Sequence, residues 1–244
     1  MKKNYEKDLP KIESIEDKYS NKVFFIAFGI IYFIFYSAIG RFLVGKIPGI
    51  NNLSNNALIA LNIIPMIAIY VVLFVLFNER FKRDIKILFK NFKVYFKYEI
   101  HVLLRYYWIY ILSNICIASL FMFLGKNPQS SNEAALDTFP IWATAIMAIL
   151  IAPVTEEGVF RWIIRKITDK KWAFIFLSGI IFGLIHINYW GEQDWIQVVF
   201  IVPYSIMGMM LAESYYKTNN LFASSLLHAT INLLAVLLRL LLPV

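Results

Sequence analysis

Apolar runs of about 20 residues recur along this chain, and they narrow its fold more than any other feature. About 20 helical residues, each rising 1.5 Å, cross the hydrocarbon layer of a bilayer. The runs therefore predict an all-α fold, a polytopic transmembrane helical bundle with about seven spans. These lie at about 23–45, 58–77, 100–124, 140–165, 172–190, 196–213 and 221–243. Composition agrees: 59% of the 244 residues are hydrophobic, and mean hydropathy is +0.62. That is the profile of a membrane protein, not of a soluble domain with a large core. Residues 1–22 are polar and charged, with no cleavable signal peptide, and read as a solvated cytoplasmic tail. Residues 23–244 read as a single helical membrane domain without repeats or low-complexity stretches. The single Cys116 lies within a span, where packing is its expected role, and no disulfide can form within one chain. Pro65 and Pro203 are expected to kink their helices.

Between the second and third spans lies "FKRDIKILFKNFKVYFKY". Phe81, Ile85, Leu88, Phe89, Phe92, Tyr95 and Phe96 fall on one helical face, with Lys82, Arg83, Lys86, Lys90, Lys93 and Lys97 mostly elsewhere. This predicts a basic interfacial amphipathic helix over 78–98, suited to a lipid bilayer with an anionic inner leaflet. The net charge of +8 raises nucleic acid as a partner, but the distribution argues against it. Lys and Arg concentrate in the N-terminal tail, in 78–98 and in 161–171, and are sparse in 125–138 and 188–195. That alternation is a topology signal. It predicts a multi-pass protein of the cell membrane with its N-terminus cytoplasmic and its C-terminus outside. Trp190 and Trp195 flank the outer loop as an aromatic belt would. Abundant Lys, Asn, Ile, Phe and Tyr point to an AT-rich bacterial genome.

Against this background, Glu156 and Glu157 stand out. A charge near the bilayer centre costs roughly 2.5–3.5 kcal/mol on insertion scales, so an intramembrane carboxylate is a functional candidate. Helical rise places Glu156 about 15 Å, His186 about 22 Å, His228 about 12 Å and Asn232 about 18 Å from the cytoplasmic ends of their spans. Three spans thus bring carboxylate, imidazole and amide to one broad layer, where such groups can satisfy one another. Glu157 and Arg161 are i,i+4 and can pair along one face, leaving Glu156 for other work. His228 and Asn232 share that spacing, as do Phe182 and His186, where the aromatic ring can wall the site from lipid. Each residue also has a plainer reading: a Glu157–Arg161 clamp, a helix-packing His186, interhelical Asn232, a protonated Glu156. The conjunction of two of three histidines with the only deep acidic pair favours chemistry. His101 is explained by snorkelling near the interface. Ser178 is too far along its helix from His186 to be its nucleophile.

The stretches "EEGVFR" (156–161), "FGLIH" (182–186) and "HATIN" (228–232) resemble the motifs E-E-x-x-x-R, F-x-x-x-H and H-x-x-x-N. These belong to the CAAX protease and bacteriocin-processing family, the Abi-type intramembrane proteases, which include the Ras-converting CAAX endopeptidases. The resemblance covers about 140–235. It departs at Gly158, where a larger apolar residue is usual, and at Trp162, where glycine is common. It implies an intramembrane endopeptidase with Glu156 as general base assisted by His186. Glu157 and Arg161 would orient the site, while His228 and Asn232 would bind water or the oxyanion. Glu156, His186 and His228 also make a possible zinc set with an open position, and family naming commonly says metalloprotease. The sequence leaves zinc-bound and glutamate-activated water open.

Two function classes follow. One is hydrolysis of a membrane-associated peptide or protein substrate, a bacteriocin or signalling-peptide precursor before a prenylated CAAX tail. The other is a non-catalytic immunity or regulatory protein that binds a peptide or sensor partner. Intact motifs favour the enzyme. Transport is weaker, since broken helices and repeats are not evident.

Overall fold

The computed structural model describes residues 5–12, 27, 29, 48–49, 52–187 and 195–241. Apart from Ala27 and Gly29, the predicted first span lies outside these residues, as does Trp190, and the Trp195 side chain is likewise not described. What is described is all-helical. Helix α1 is Asn55–Lys90, α2 is Phe92–Phe123, and α3 is the short Ser131–Asp137. Helix α4 spans Ile141–Ile167, α5 is Lys171–Ile185, α6 is Ile201–Thr218 and α7 is Leu221–Leu241. A 3-10 turn, Trp195–Phe200, leads into α6.

The seven predicted spans are not reproduced one for one. Among the described residues four helices are long and apolar enough to cross a membrane, or five if the two arms of α1 count as one span. Helix α5 has 15 residues, about 22 Å of rise, short of the roughly 30 Å hydrocarbon core. The predicted interfacial helix is also not a separate element. Its first half is the arm Phe77–Lys90 of α1, its second half the opening of α2, and Asn91 divides them. The break splits its apolar face in two. Phe81, Leu88 and Tyr95 are buried, while Phe89, Phe92 and Phe96 are exposed.

Helix α1 stays helical through Pro65 and turns instead at Phe77, where φ is −133° and its two arms diverge by 92°. The neighbour explains the place. Phe77 packs edge-on against Trp162 of α4, and one turn earlier Leu73 fills the space above Gly158. A Cβ on Gly158 would come within 2.9 Å of Leu73 Cδ1. Both positions at which α4 departs from the motifs it resembles thus receive α1 at its bend. Pro203 lies in the first turn of α6, where a missing N–H costs no helix hydrogen bond.

Helices α5 and α6 meet backbone to backbone. A Cβ on Gly183 would fall 2.2 Å from Ser205 Oγ and 2.8 Å from the Ile201 carbonyl, so this small-residue contact sets how close the two helices lie. The α6–α7 turn uses Asn219 in the left-handed region (φ 46°), which asparagine tolerates better than most residues. Asp84 of α1 then caps α7, accepting from the Leu221 amide at 2.9 Å, and Asn220 Nδ2 donates to the Asp84 carbonyl at 2.9 Å.

The N-terminal segment is not simply solvated. Tyr5–Asp8 forms a 3-10 turn; the Tyr5 ring lies 5.1 Å from His101, and Lys217 Nζ donates to Glu6 at 2.7 Å. His101 in turn contacts Arg105 at 2.9 Å, so it does more than snorkel. Cys116 is exposed rather than packed.

Candidate functional site

Helix α4 carries the carboxylate pair between two irregularities. Ile146–Ile151 and Gly158–Ile163 are π-helical, and the α-helical Ala152–Glu157 sits between them. Pro153 accounts for the first. It has no N–H to give the carbonyl four residues back, and its ring crowds that carbonyl, so the preceding turn widens. Such π-bulges concentrate at functional sites. Both glutamates are buried here, Glu156 3% exposed and Glu157 0%.

Glu157 is fully engaged. Arg161 Nε donates to Oε2 at 2.9 Å, and His228 Nδ1 lies 3.3 Å from Oε1. Arg161 is itself wholly buried; its Nη1 donates to Ser178 Oγ at 2.6 Å, and its guanidinium lies over the Phe182 ring. Ser178 passes its own proton to the Phe160 carbonyl at 2.9 Å. The i,i+4 pair expected from sequence is therefore one link in a chain joining α4, α5 and α7. Ser178, too far from His186 to act as its nucleophile, instead serves as a buried partner of Arg161.

Glu156 is placed differently. Its Oε2 stands 3.9 Å from His186 Nε2 and 4.0 Å from His228 Nε2. The second nitrogen of each ring settles what Nε2 can do. His186 Nδ1 is 2.7 Å from the Phe182 carbonyl, which can only accept, so Nδ1 carries the proton. His228 Nδ1 faces the Glu157 carboxylate, which also accepts. In both neutral imidazoles Nε2 is then a lone pair, directed to the same neighbourhood as Glu156 Oε2. Three acceptors face one another, and a donor of protons is what such a set can hold. Phe182, wholly buried, lies against both imidazoles, with ring centroids at 4.4 Å and 5.7 Å. It forms the apolar wall its spacing predicted.

Asn232 lies one turn beyond His228 on α7, but its amide is directed elsewhere. Nδ2 donates to the Ala148 carbonyl at 2.6 Å. Ala148 sits in the π-helical stretch before the glutamates, so this bond ties α7 to the distorted turn.

The donor set can be tested against zinc. Ligand atoms about 2.0–2.1 Å from a tetrahedral ion lie about 3.3 Å apart. The two Glu156–imidazole separations are wider. Among the described residues no group of three or more His, Cys, Asp or Glu side chains is arranged to hold a metal. The possible ligands Glu156, His186 and His228 do not fit the ion as they stand. A water molecule at hydrogen-bond distance, about 2.8 Å from each acceptor, spans about 4 Å when its bonds are near a right angle, which matches both separations.

Several buried polar groups carried no sequence signal of their own. Glu99 accepts from Ser214 Oγ at 2.8 Å, and Glu213 accepts from Arg105 Nη1 at 2.9 Å and from Tyr106. These contacts join α2 to α6.

The family model described as "Type II CAAX prenyl endopeptidase Rce1-like" matches residues 138–234. "UPF0177 protein YxdF" of Lactococcus lactis is 32% identical over 99 residues, 40% of this chain and 51% of that protein. "UPF0177 protein YbdI" of the same organism is 26% identical over 134 residues, 52% of this chain and 69% of its own length. "Putative membrane peptidase YdiL" of Bacillus subtilis is 28% identical over 127 residues, 49% of this chain and 48% of its own. The chain thus spans about half the length of the first and third of these relatives. No solved structure matches it.

Proposed function

We propose that this chain, whose residues 138–234 match the family model of Rce1-like type II CAAX prenyl endopeptidases, is an intramembrane endopeptidase with Glu156 as its general base. The observation that carries this reading is the placement of Glu156 Oε2, 3.9 and 4.0 Å from two imidazole nitrogens whose rings are already anchored. A water there donates one proton to Glu156 and the other to one of the two imidazole nitrogens, leaving its oxygen lone pairs for a carbonyl carbon. As the water oxygen bonds to that carbon, Glu156 takes the proton. The carbon–nitrogen bond then breaks and the proton passes to the leaving amine, so Glu156 ends as it began.

The neighbours divide the remaining work. Glu157 holds His228 in the tautomer that presents Nε2, and Arg161 balances the Glu157 charge. The substrate class is a membrane-associated peptide or protein. These relatives are bacterial, and a bacteriocin or signalling-peptide precursor suits a bacterial membrane better than a prenylated tail. Glu156-activated water is the chemistry the donor distances favour over zinc.

The experiment compares membrane peptides in cells carrying wild-type protein or Glu156→Gln, which keeps the shape and removes the base. Cleavage should fall by about 10²–10⁴-fold at equal protein level. A Glu156→Gln protein with the full wild-type peptide profile would make the chain a binding protein and its carboxylates structural. The Lys and Arg distribution supports a cytoplasmic N-terminus. In a Cys116→Ala background, a cysteine at Ser131 should react with an impermeant thiol reagent from outside, and one at Lys170 only after permeabilisation. The reverse pattern would overturn this orientation.

A further inference from the structure

His186 is restrained by more than its own helix. Its hydrogen bond to the Phe182 carbonyl fixes one nitrogen. The second restraint comes from α6. The Tyr204 ring lies nearly parallel to the imidazole, with centroids 4.7 Å apart and planes at 19°.

Tyr204 is in turn gripped by the start of α3. Ser130 and Glu133 form a capping box: the Glu133 amide donates to Ser130 Oγ at 3.2 Å, and Ser130 N and Oγ both donate to Glu133 Oε2 at 2.9 Å. Ser130 has one hydroxyl proton, and the carboxylate takes it. Its 2.9 Å contact with the Tyr204 hydroxyl therefore runs from tyrosine to serine. Asn132 Nδ2 adds a donor to the tyrosine oxygen at 3.4 Å. The hydrogen bonds point one way, from Asn132 through Tyr204 and Ser130 to Glu133. Seven residues make no stable helix alone, so this bond to Tyr204 also fastens α3 to the bundle.

We infer that Tyr204 is a positioning residue for His186, and that the Ser130–Glu133 capping box of α3 is its anchor. The anchor holds the phenol, the phenol ring holds the imidazole, and the imidazole keeps Nε2 toward Glu156. This rests on the reading of Glu156 and His186 as a water-activating pair. Simple packing is the alternative, since Tyr204 also contacts the cluster of Ile117, Phe121, Ile187, Ile196 and Phe200.

The chain has only three histidines, so their ring nitrogens can be followed individually by NMR. The full chain, carrying ¹⁵N-histidine in lipid nanodiscs, is assigned with His101→Asn and His186→Asn. In wild type the His186 nitrogens should show one tautomer, protonated at Nδ1. Tyr204→Ala should mix the tautomers, drawing the two His186 shifts together while the His228 pair stays in place. Tyr204→Phe and Ser130→Ala each break the hydroxyl anchor but keep the ring. They should match each other and fall between wild type and Tyr204→Ala. An unchanged His186 pair in Tyr204→Ala would overturn the inference. If Tyr204→Ala instead disturbs all three histidines, Ser130→Ala decides: a His186 change with His228 constant supports the inference, and no change overturns it. Glu156→Gln cleavage is measured separately. Loss of the proteolytic reading would show there, while the response of His186 to Tyr204 would stand.

Discussion

Asp84, wholly buried where α1 meets α7, is met by donors on both oxygens. Arg83 reaches Oδ1 at 2.6 and 2.8 Å, the Leu221 amide reaches Oδ2 at 2.9 Å, and Arg80 lies 3.9 Å away. Glu156, equally sheltered in α4, has a different company. Its Oε2 faces two imidazole nitrogens at 3.9 and 4.0 Å, each a lone pair by the bond its ring makes on the other side. The first cluster satisfies itself and so holds helices together. The second sets a carboxylate oxygen beside two imidazole nitrogens, at distances longer than a direct hydrogen bond. Burial alone does not distinguish the two carboxylates; the character of their neighbours does.

Paired substitutions can break or sharpen that contrast, and the largest effect belongs to Glu156. Glu156→Gln should lose cleavage while its thermal unfolding stays at the wild-type midpoint. A large drop in the midpoint would place Glu156 in the same class as Asp84. Arg161→Ala comes next, because it leaves Glu157 buried with one charged partner fewer. Breaking a buried pair by removing one member costs about 3–5 kcal/mol, so protein level and denaturation midpoint should fall together with activity. Unchanged stability would mean that His228 suffices to hold Glu157. Asp84→Ala should cost less, about 1–3 kcal/mol for a buried charged hydrogen-bond acceptor, with cleavage per folded molecule unaltered. Altered cleavage per folded molecule would show that the two clusters are coupled. The smallest effect is expected from Asn232→Ala, which removes the bond to Ala148: about 0.5–1.5 kcal/mol of stability. A rate loss of about 10²-fold or more there would instead assign Asn232 to the oxyanion.

The same contrast explains how much could be read in advance. Glu157 with Arg161 and Phe182 with His186 are neighbours on single helices, and i,i+4 spacing alone put them together. Convergence of Glu156, His186 and His228 was legible as depth, since helical rise converts residue number into distance along the bundle axis. Direction was not. Asn232 has the same spacing from His228, yet its amide meets the π-helical turn at Ala148. Asp84, Glu99 and Glu213 find partners on helices distant in sequence, and no local pattern announces such a pairing. The Ser130–Glu133 capping box was visible as S-x-x-E; its attachment to Tyr204 was not.

The sequence by itself determined that the chain is a bundle of apolar helices, which residue types share a layer of it, and which family its last helices resemble. Those properties follow from transfer free energy and helical periodicity, both local. Only the tertiary structure decided that the predicted interfacial helix is divided at Asn91, that α1 turns at Phe77 rather than at Pro65, and that Gly158 and Trp162 are the seats of Leu73 and Phe77. It also decided which imidazole nitrogen faces Glu156. Each of these depends on what a neighbouring helix presents at the contact, and a tautomer is set by the partner across the ring, information that no single segment carries.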